Sequence, residues 1–338
     1  MSSDQDLVVQ TVREILAGHE PAQLTPDRRW DAALWTDLAD AGLTGVGLPE
    51  EAGGSGGELA DAVAVVATLA AGAGAVPVAE QLLVAGPAVL AAGLDLPPVD
   101  QPLSVAVDGA VRFADGRVTG TTTAVAWAGV VHHLAVVAAG PDGDVLALVD
   151  VSGLGSTDAA NLAGEPRGSY VLEGLPAQVG PLPADLRARY ALARAVQLSA
   201  AAETVLAWTV QYAGERVQFG RPLAKFQGIQ MQLAQMAGEV TAVSALVDAA
   251  VQRLERGEPL ELAAAAAKVR AGAAVDVVAR LAHQVHGAIG FTQEHRLHHL
   301  TKRMWSWRDE AGNETTWARV LGAAVAGADP WPVLTGLV

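Results

Sequence analysis

The stretch from Gly214 to Glu239, GERVQFGRPLAKFQGIQMQLAQMAGE, gathers the groups best suited to hold an anionic ligand. Arg216 offers a planar cationic fork that matches phosphate oxygens, and Gln218 and Phe219 add an amide and an aromatic face. That set suits a dinucleotide. The same order, an Arg and a Phe ahead of the Gly-x-Pro turn at Gly220, Arg221 and Pro222, also suits a helix cap with a packed ring. Further on, His283, His286, His295, His298 and His299 crowd one short region, with His295 and His299 at i, i+4 spacing. A zinc site needs three or four converging ligands, and the sequence holds neither an HExxH motif nor a cysteine, so no metal is expected and these histidines read as solvated or capping. Trp305, Trp307 and Trp317 read as core or interface packing rather than a substrate slot.

Helices must position both stretches. Apolar residues recur at helical spacing over about 185–214, 226–256, 261–287 and 294–307, with a last helix from about Asn313, and short connections between such helices imply an antiparallel bundle. At the other end of the chain, helices are expected over 6–17 and 31–41, the second stopped by Gly42. Gly53, Gly54, Gly56 and Gly57 lack the Lys-Ser/Thr ending of a phosphate loop and follow no strand, so a flexible surface turn is expected there. The uncharged run from Ala62 to Ala79 carries Gly72, Gly74 and Pro77 near its end and reads as a buried helix and its exit, not a membrane span. Near Pro97 the pattern changes to β-branched residues alternating with turn pairs such as Asp115-Gly116 and Asp142-Gly143. The expected fold is therefore α+β and multidomain: an N-terminal helical domain over 1–98, a central β domain over 99–182 and a C-terminal antiparallel helix bundle over 183–338.

A length of 338 residues, half of them hydrophobic, supports a substantial core. The formal charge of −15 opposes nucleic acid and anionic membrane as partners. Without cysteine, redox chemistry needs a cofactor, and the acidic N-terminus lacks the basic and apolar regions of a secretory signal, so the cytoplasm is the expected location.

Together, the two candidate stretches, GERVQFGRPLAKFQ and AHQVHGAIGF, and the landmark Leu48 to Gly54, LPEEAGG, resemble the acyl-CoA dehydrogenase family across most of the chain. The resemblance implies FAD, with its ADP half held by Arg216, Gln218, Phe219, Phe226, Gln227, Gln284, Gly287 and Ala288 on behalf of a neighbouring subunit. Arg216 would meet the pyrophosphate, Phe219 the adenosine half, and Gln284 with Gly287 would let backbone amides approach; Ala288 replaces the second glycine of the usual pair. The departures are equally informative. The family's catalytic glutamate falls at Ala311, and the alternative base position, within Arg187 to Ala195, holds Tyr190 and no carboxylate. Glu310 or Glu314 could substitute if the segment shifts by part of a helical turn. The family's Thr-Glu-x-x-x-Gly-Ser stretch and Trp-x-Thr strand, which face the flavin ring, are not matched by Thr121–Thr123 and Trp127. The resemblance thus implies the short, base-lacking subunit of an actinobacterial steroid-type heterotetramer, with a homologous catalytic subunit, an acyl-CoA substrate and an acceptor of the electron-transfer flavoprotein type. Alternatives are a self-sufficient homo-oligomer using Glu310 and a non-enzymatic assembly subunit.

Overall fold

The computed structural model describes residues 3–21, 24–25, 27–326 and 332. The chain divides into two compact units, 1–193 and 194–338. In the first, α1 (Ser3–Ala17), α2 (Ala32–Asp40) and α3 (Leu59–Ala71) form a helical layer. Asp31 caps α2 by accepting from Leu34 N at 3.2 Å, and Glu58 with Asp61 forms a reciprocal capping box at the start of α3. Gly42, at φ +72, ends α2 as expected.

The glycine cluster departs from the expected flexible turn. Gly56 N donates to Leu48 O and Gly47 N to Gly56 O, and Ser55 N donates to Gly45 O, pinning the turn to the preceding segment. A Cβ on Gly54 would lie 2.2 Å from Leu48 O, so glycine serves close backbone packing here.

After α3 the chain makes a π-helical turn, Glu80–Ala85, and continues into α4 (Gly86–Ala91). Buried Gln81 holds three segments there: its Nε2 donates to Thr44 O and Val99 O, each at 2.7 Å, and its Oε1 accepts from Leu103 N at 2.9 Å. The β region follows as β1 (Leu103–Ala106), β2 (Gly109–Ala114), β3 (Arg117–Thr122), β4 (Val125–Ala126), β5 (His133–Gly140), β6 (Gly143–Asp150), β7 (Arg167–Gly168), β8 (Val171–Pro176) and β9 (Gln178–Pro181). The main sheet runs β8-β3-β2-β5-β6-β9, with β1 also pairing β5 in parallel. Asp115-Gly116 makes the β2–β3 turn with both residues at positive φ, the geometry that suits the strand twist. The next hairpin differs by one residue from expectation: Gly140 pairs with Gly143, so Pro141-Asp142 is the turn and Gly143 opens β6. Val118, Leu134, Val136, Ala147, Tyr170 and Leu172 pack into one core with Trp127.

The second unit is helical. α5 (Leu186–Glu215) runs into it, followed by a miniature hairpin of β10 (Val217–Gln218) and β11 (Arg221–Pro222), then α6 (Gln227–Glu255), α7 (Glu261–His286), a 3-10 turn Gly287–Phe291, α8 (Leu297–Asp309) and α9 (Glu314–Val325). α7 is the central helix and packs on α6, α8 and α9, burying Ala264, Ala267, Ala271, Val275, Val278, Ala282 and Val285 at helical spacing. At Gly272 a Cβ would meet the Glu314 side chain at 2.8 Å, so the absence of a side chain admits α9. Asn313 caps α9, as its position in sequence implied, by accepting from Thr316 N at 3.1 Å.

Candidate cofactor-binding site

The first candidate loop is a two-residue hairpin. Gln218 pairs with Arg221 across Phe219 and Gly220, whose φ values of +49 and +81 define a turn in which Asn-Gly would be favoured. Phe219 is instead a bulky residue in the left-handed region and is 91% exposed. This sets aside the helix cap with a packed ring, because the ring stands in solvent. Its one aromatic neighbour is Phe226, edge-on at 6.3 Å between centroids, and Arg221 lies over the Phe226 face at 4.2 Å. Arg221 is thus engaged by a ring. Arg216, Gln218 and Gln227 are exposed and Phe226 is half-buried.

In the second loop Gln284 lies exposed on the last turn of α7, and Gly287 takes φ +63, which strongly favours glycine, with nothing within 4 Å of where a Cβ would stand. Ala288 is exposed, so its methyl is not packed inward. Gly290 is buried, its would-be Cβ 2.9 Å from His286 Cβ.

Rings join the bases of the two loops. Tyr212, on the last turns of α5, stacks on His286, the last residue of α7, with centroids 4.5 Å apart and planes at 22°. His286 meets His295 at 4.8 Å, His283 stacks on Phe291 at 4.6 Å, and Arg296 lies 4.1 Å over Trp208. The expectation of solvated histidines is therefore corrected, since His286 is buried and the others are half-buried in ring contacts, whereas capping holds in part: His295 Nδ1 accepts from Leu297 N at 3.2 Å at the start of α8, and His286 Nδ1 donates to Ala282 O at 2.8 Å at the end of α7. Burial lowers the pKa of His283, His286 and His295, and burial followed by His298, Arg303 and Lys302 pushes His299 down to about 4. The sequence signal was available in the Tyr at 212 and the His before Gly287, but helical periodicity alone cannot say which rings of two distant segments meet.

The surroundings of Ala311 are built differently. Ala311 sits at φ +55 in the α8–α9 turn and accepts a hydrogen bond from Trp317 Nε1 at 2.7 Å. Glu310, beside it, is held 2.9 Å from the guanidinium of Arg194, which is 1% exposed and also donates to Gln197 Oε1. Nearby, Lys268 is buried in α7 and donates to Arg308 O at 2.6 Å; burial, opposed by Glu314, lowers it to about 8. Trp307 and Trp317 are core residues. In the β region, Thr122 is fully buried and accepts from Tyr170 N at 2.9 Å, while Trp127, at φ +63 and 3% exposed, donates to buried Glu80 at 3.0 Å. Neither side chain is presented to solvent.

Residues 2–95 match the acyl-CoA dehydrogenase N-terminal domain and residues 188–325 the acyl-CoA dehydrogenase C-terminal domain. The acyl-CoA dehydrogenase IpdE2 of Mycolicibacterium smegmatis is 29% identical over 315 residues, spanning 90% of this chain and 93% of the relative. A variant of the Tcur3481–Tcur3483 steroid ACAD superposes with a TM-score of 0.86 at 28% identity, over 96% of this chain and 98% of that one. The ChsE4–ChsE5 complex from Mycobacterium tuberculosis gives 0.86 at 26% identity, over 97% and 99%. The chain belongs to the acyl-CoA dehydrogenase family, and its cofactor is FAD.

The residues present fit one half of that cofactor. An exposed guanidinium, an exposed aromatic ring and an unobstructed glycine backbone suit an ADP moiety. In the β region Thr122 and Trp127 are committed to the core, while Thr121 and Thr123 are exposed. Among the described residues, no group of His, Asp and Glu is arranged to hold a metal, and no helix is long and apolar enough to cross a membrane.

Proposed function

We propose that the chain is the short, base-lacking subunit of a heteromeric acyl-CoA dehydrogenase, which lends its hairpin and its Gly287 turn to the FAD of a homologous catalytic subunit. The observation that carries this reading is Phe219, an aromatic ring held in strained backbone geometry and fully offered to solvent. Strain of this kind persists where a function needs it, and the one edge contact with Phe226 leaves the ring 91% exposed. The matched Tcur3481–Tcur3483 and ChsE4–ChsE5 proteins are two-component assemblies, and the former is a steroid ACAD, which supports a steroid-derived acyl-CoA thioester as substrate.

When bound, the flavin accepts the hydride in α,β-desaturation of the thioester. On this reading Arg216 holds the pyrophosphate by charge-assisted hydrogen bonds and Phe219 covers the adenosine half. Gln218, Phe226 and Gln227 line the approach, and Gln284, Gly287 and Ala288 bring backbone close to the dinucleotide. The substrate proton is taken by a carboxylate of the partner, because Ala311 has none and Glu310 already faces a buried guanidinium. Electrons then pass to an acceptor of the electron-transfer flavoprotein type. The division into 1–98, 99–182 and 183–338 belongs to this reading, with the ADP-holding loops confined to the last part.

Absorbance of the protein purified alone and then with its catalytic partner tests the proposal. Little or no flavin and no acyl-CoA oxidation alone, with both gained in the complex, is the expected outcome. A yellow homo-oligomer with ordinary turnover would overturn it.

A further inference from the structure

The Tyr212–His286 stack ties together two loops that are far apart in sequence. Arg216 N donates to Tyr212 O at 2.9 Å, so the hairpin begins one helical turn beyond the stacked tyrosine and moves with it. His286 immediately precedes Gly287, whose positive φ makes it the natural pivot of the second loop. His295 approaches the same imidazole from the segment before α8, at 64° to its plane. His286 Nδ1 donates to Ala282 O at 2.8 Å, which fixes the neutral tautomer. Its Nε2 then carries a lone pair in a buried position without a hydrogen-bond partner.

We infer that Tyr212, His286 and His295 form a ring brace that sets the separation of the two loops, with His286 as the positioning residue, and that the brace holds only while that imidazole is neutral. The groups acting on His286 are Tyr212 from α5, His283 on its own helix, and His295 and Arg296 from the segment before α8. No carboxylate is among them. A proton on Nε2 would create a buried cation with no acceptor, beside the Arg296 charge, and the relief available is for the ring to leave the stack and carry Gly287 with it. Burial, then His283 and Arg296, already hold this imidazole below its ordinary pKa, in keeping with the neutral form. The link to FAD rests on the function proposed above; the coupling of the loops does not.

Hydrogen exchange on the chain alone at pH 7.5 tests the coupling. His286→Ala is expected to raise amide exchange at least fivefold in both 216–223 and 287–292, and Tyr212→Leu to do the same from the other side of the stack. His286→Phe, which keeps a stacked ring, is expected to match the parent. Faster exchange in only the loop next to each substitution would overturn the brace, and Tyr212→Leu decides the matter if His286→Ala does not fold. In the complex with the catalytic partner, FAD release is then followed from pH 7.5 to 5.5. The parent is expected to bind FAD about tenfold more weakly at the lower pH while His286→Phe does not, and identical profiles would remove the dependence on the neutral ring. If exchange couples as expected but neither these variants nor Arg216→Ala alters FAD retention, the cofactor assignment fails and the brace stands.

Discussion

Arg194 and Glu310 meet at 2.9 Å across the α5 and α8–α9 segments, with the guanidinium 1% and the carboxylate 15% exposed. The carboxylate adjoining Ala311 is thus committed to neutralising a buried cation. Glu310→Gln is expected to lower stability by about 2 kcal/mol, because the amide still accepts a hydrogen bond but no longer brings a negative charge to the buried Arg194 guanidinium. Turnover of the complex is expected to be unchanged. Urea midpoints and steady-state rates check both, and loss of turnover would make Glu310 the base.

Phe219 is the second test, because its cost and its use are opposed. Phe219→Asn places a residue that tolerates φ +49 at the hairpin tip and is expected to stabilise the isolated chain by about 1 kcal/mol. The same change is expected to weaken FAD retention in the complex. A variant that loses both stability and FAD would mean that the ring packs rather than binds.

Arg216→Ala in the complex is expected to cost about 1.5–3 kcal/mol of FAD binding, the worth of a hydrogen bond to a charged group. Arg216→Lys is expected to recover only part of this, since an ammonium cannot reproduce the planar fork. Flavin titration of apo-complex measures both. Unchanged affinity in the two variants would reduce the hairpin to a structural turn.

Flavin stoichiometry is expected to be one FAD per pair of unlike subunits. Of the residues compared with the family's ring-facing motifs, Thr122 and Trp127 are buried in this chain's own β core, so restoring a carboxylate alone is not expected to complete a second site. Ala311→Glu is accordingly expected to leave both flavin content and turnover as they were. Two FAD per heterodimer would show that the reciprocal site is built.

Acid is expected to weaken the fold before carboxylates protonate. His133, His283, His286, His295 and His299 all have folded-state pKa values below the ordinary 6.5, chiefly through burial. As pH falls, the unfolded chain binds these protons first, so stability is complete above about 6.5 and declines towards the folded values, of which His299 reaches about 4. Urea midpoints at pH 7.5 and 5 measure the loss, and His299→Phe is expected to reduce it. A midpoint higher at pH 5 would contradict the burial argument.

Much of the helical architecture was legible in the sequence because caps and glycine stops are local. Gly42, Gly287 and Asn313 mark ends by rules that need no knowledge of neighbours. The candidate loops were legible for the same reason, as short strings between strong helices. The Tyr212–His286 stack, the Arg194–Glu310 pair and the Gln81 bonds were not, since each joins residues whose meeting depends on how helices pack. The Phe219 geometry was hidden differently: the Phe-Gly pair lacks the Asn or Asp that usually announces such a turn. The histidines misled because composition counts them as polar, whereas their rings pack as aromatics.

The π-helical turn at Glu80–Ala85 has a bearing on which lengths of this segment the chain can tolerate. Such a turn carries one residue more than the α-helical turn around it. The wider turn takes up that residue as a bulge, so the flanks before and after it keep nearly the phase of an uninterrupted α-helix. Gln81 lies inside the bulge and from there reaches Thr44, Val99 and Leu103. A one-residue deletion is therefore expected to leave the buried face of α4 in place and to break the Gln81 bonds, so the effect of a change in length falls on the join between three segments and not on the helix that follows.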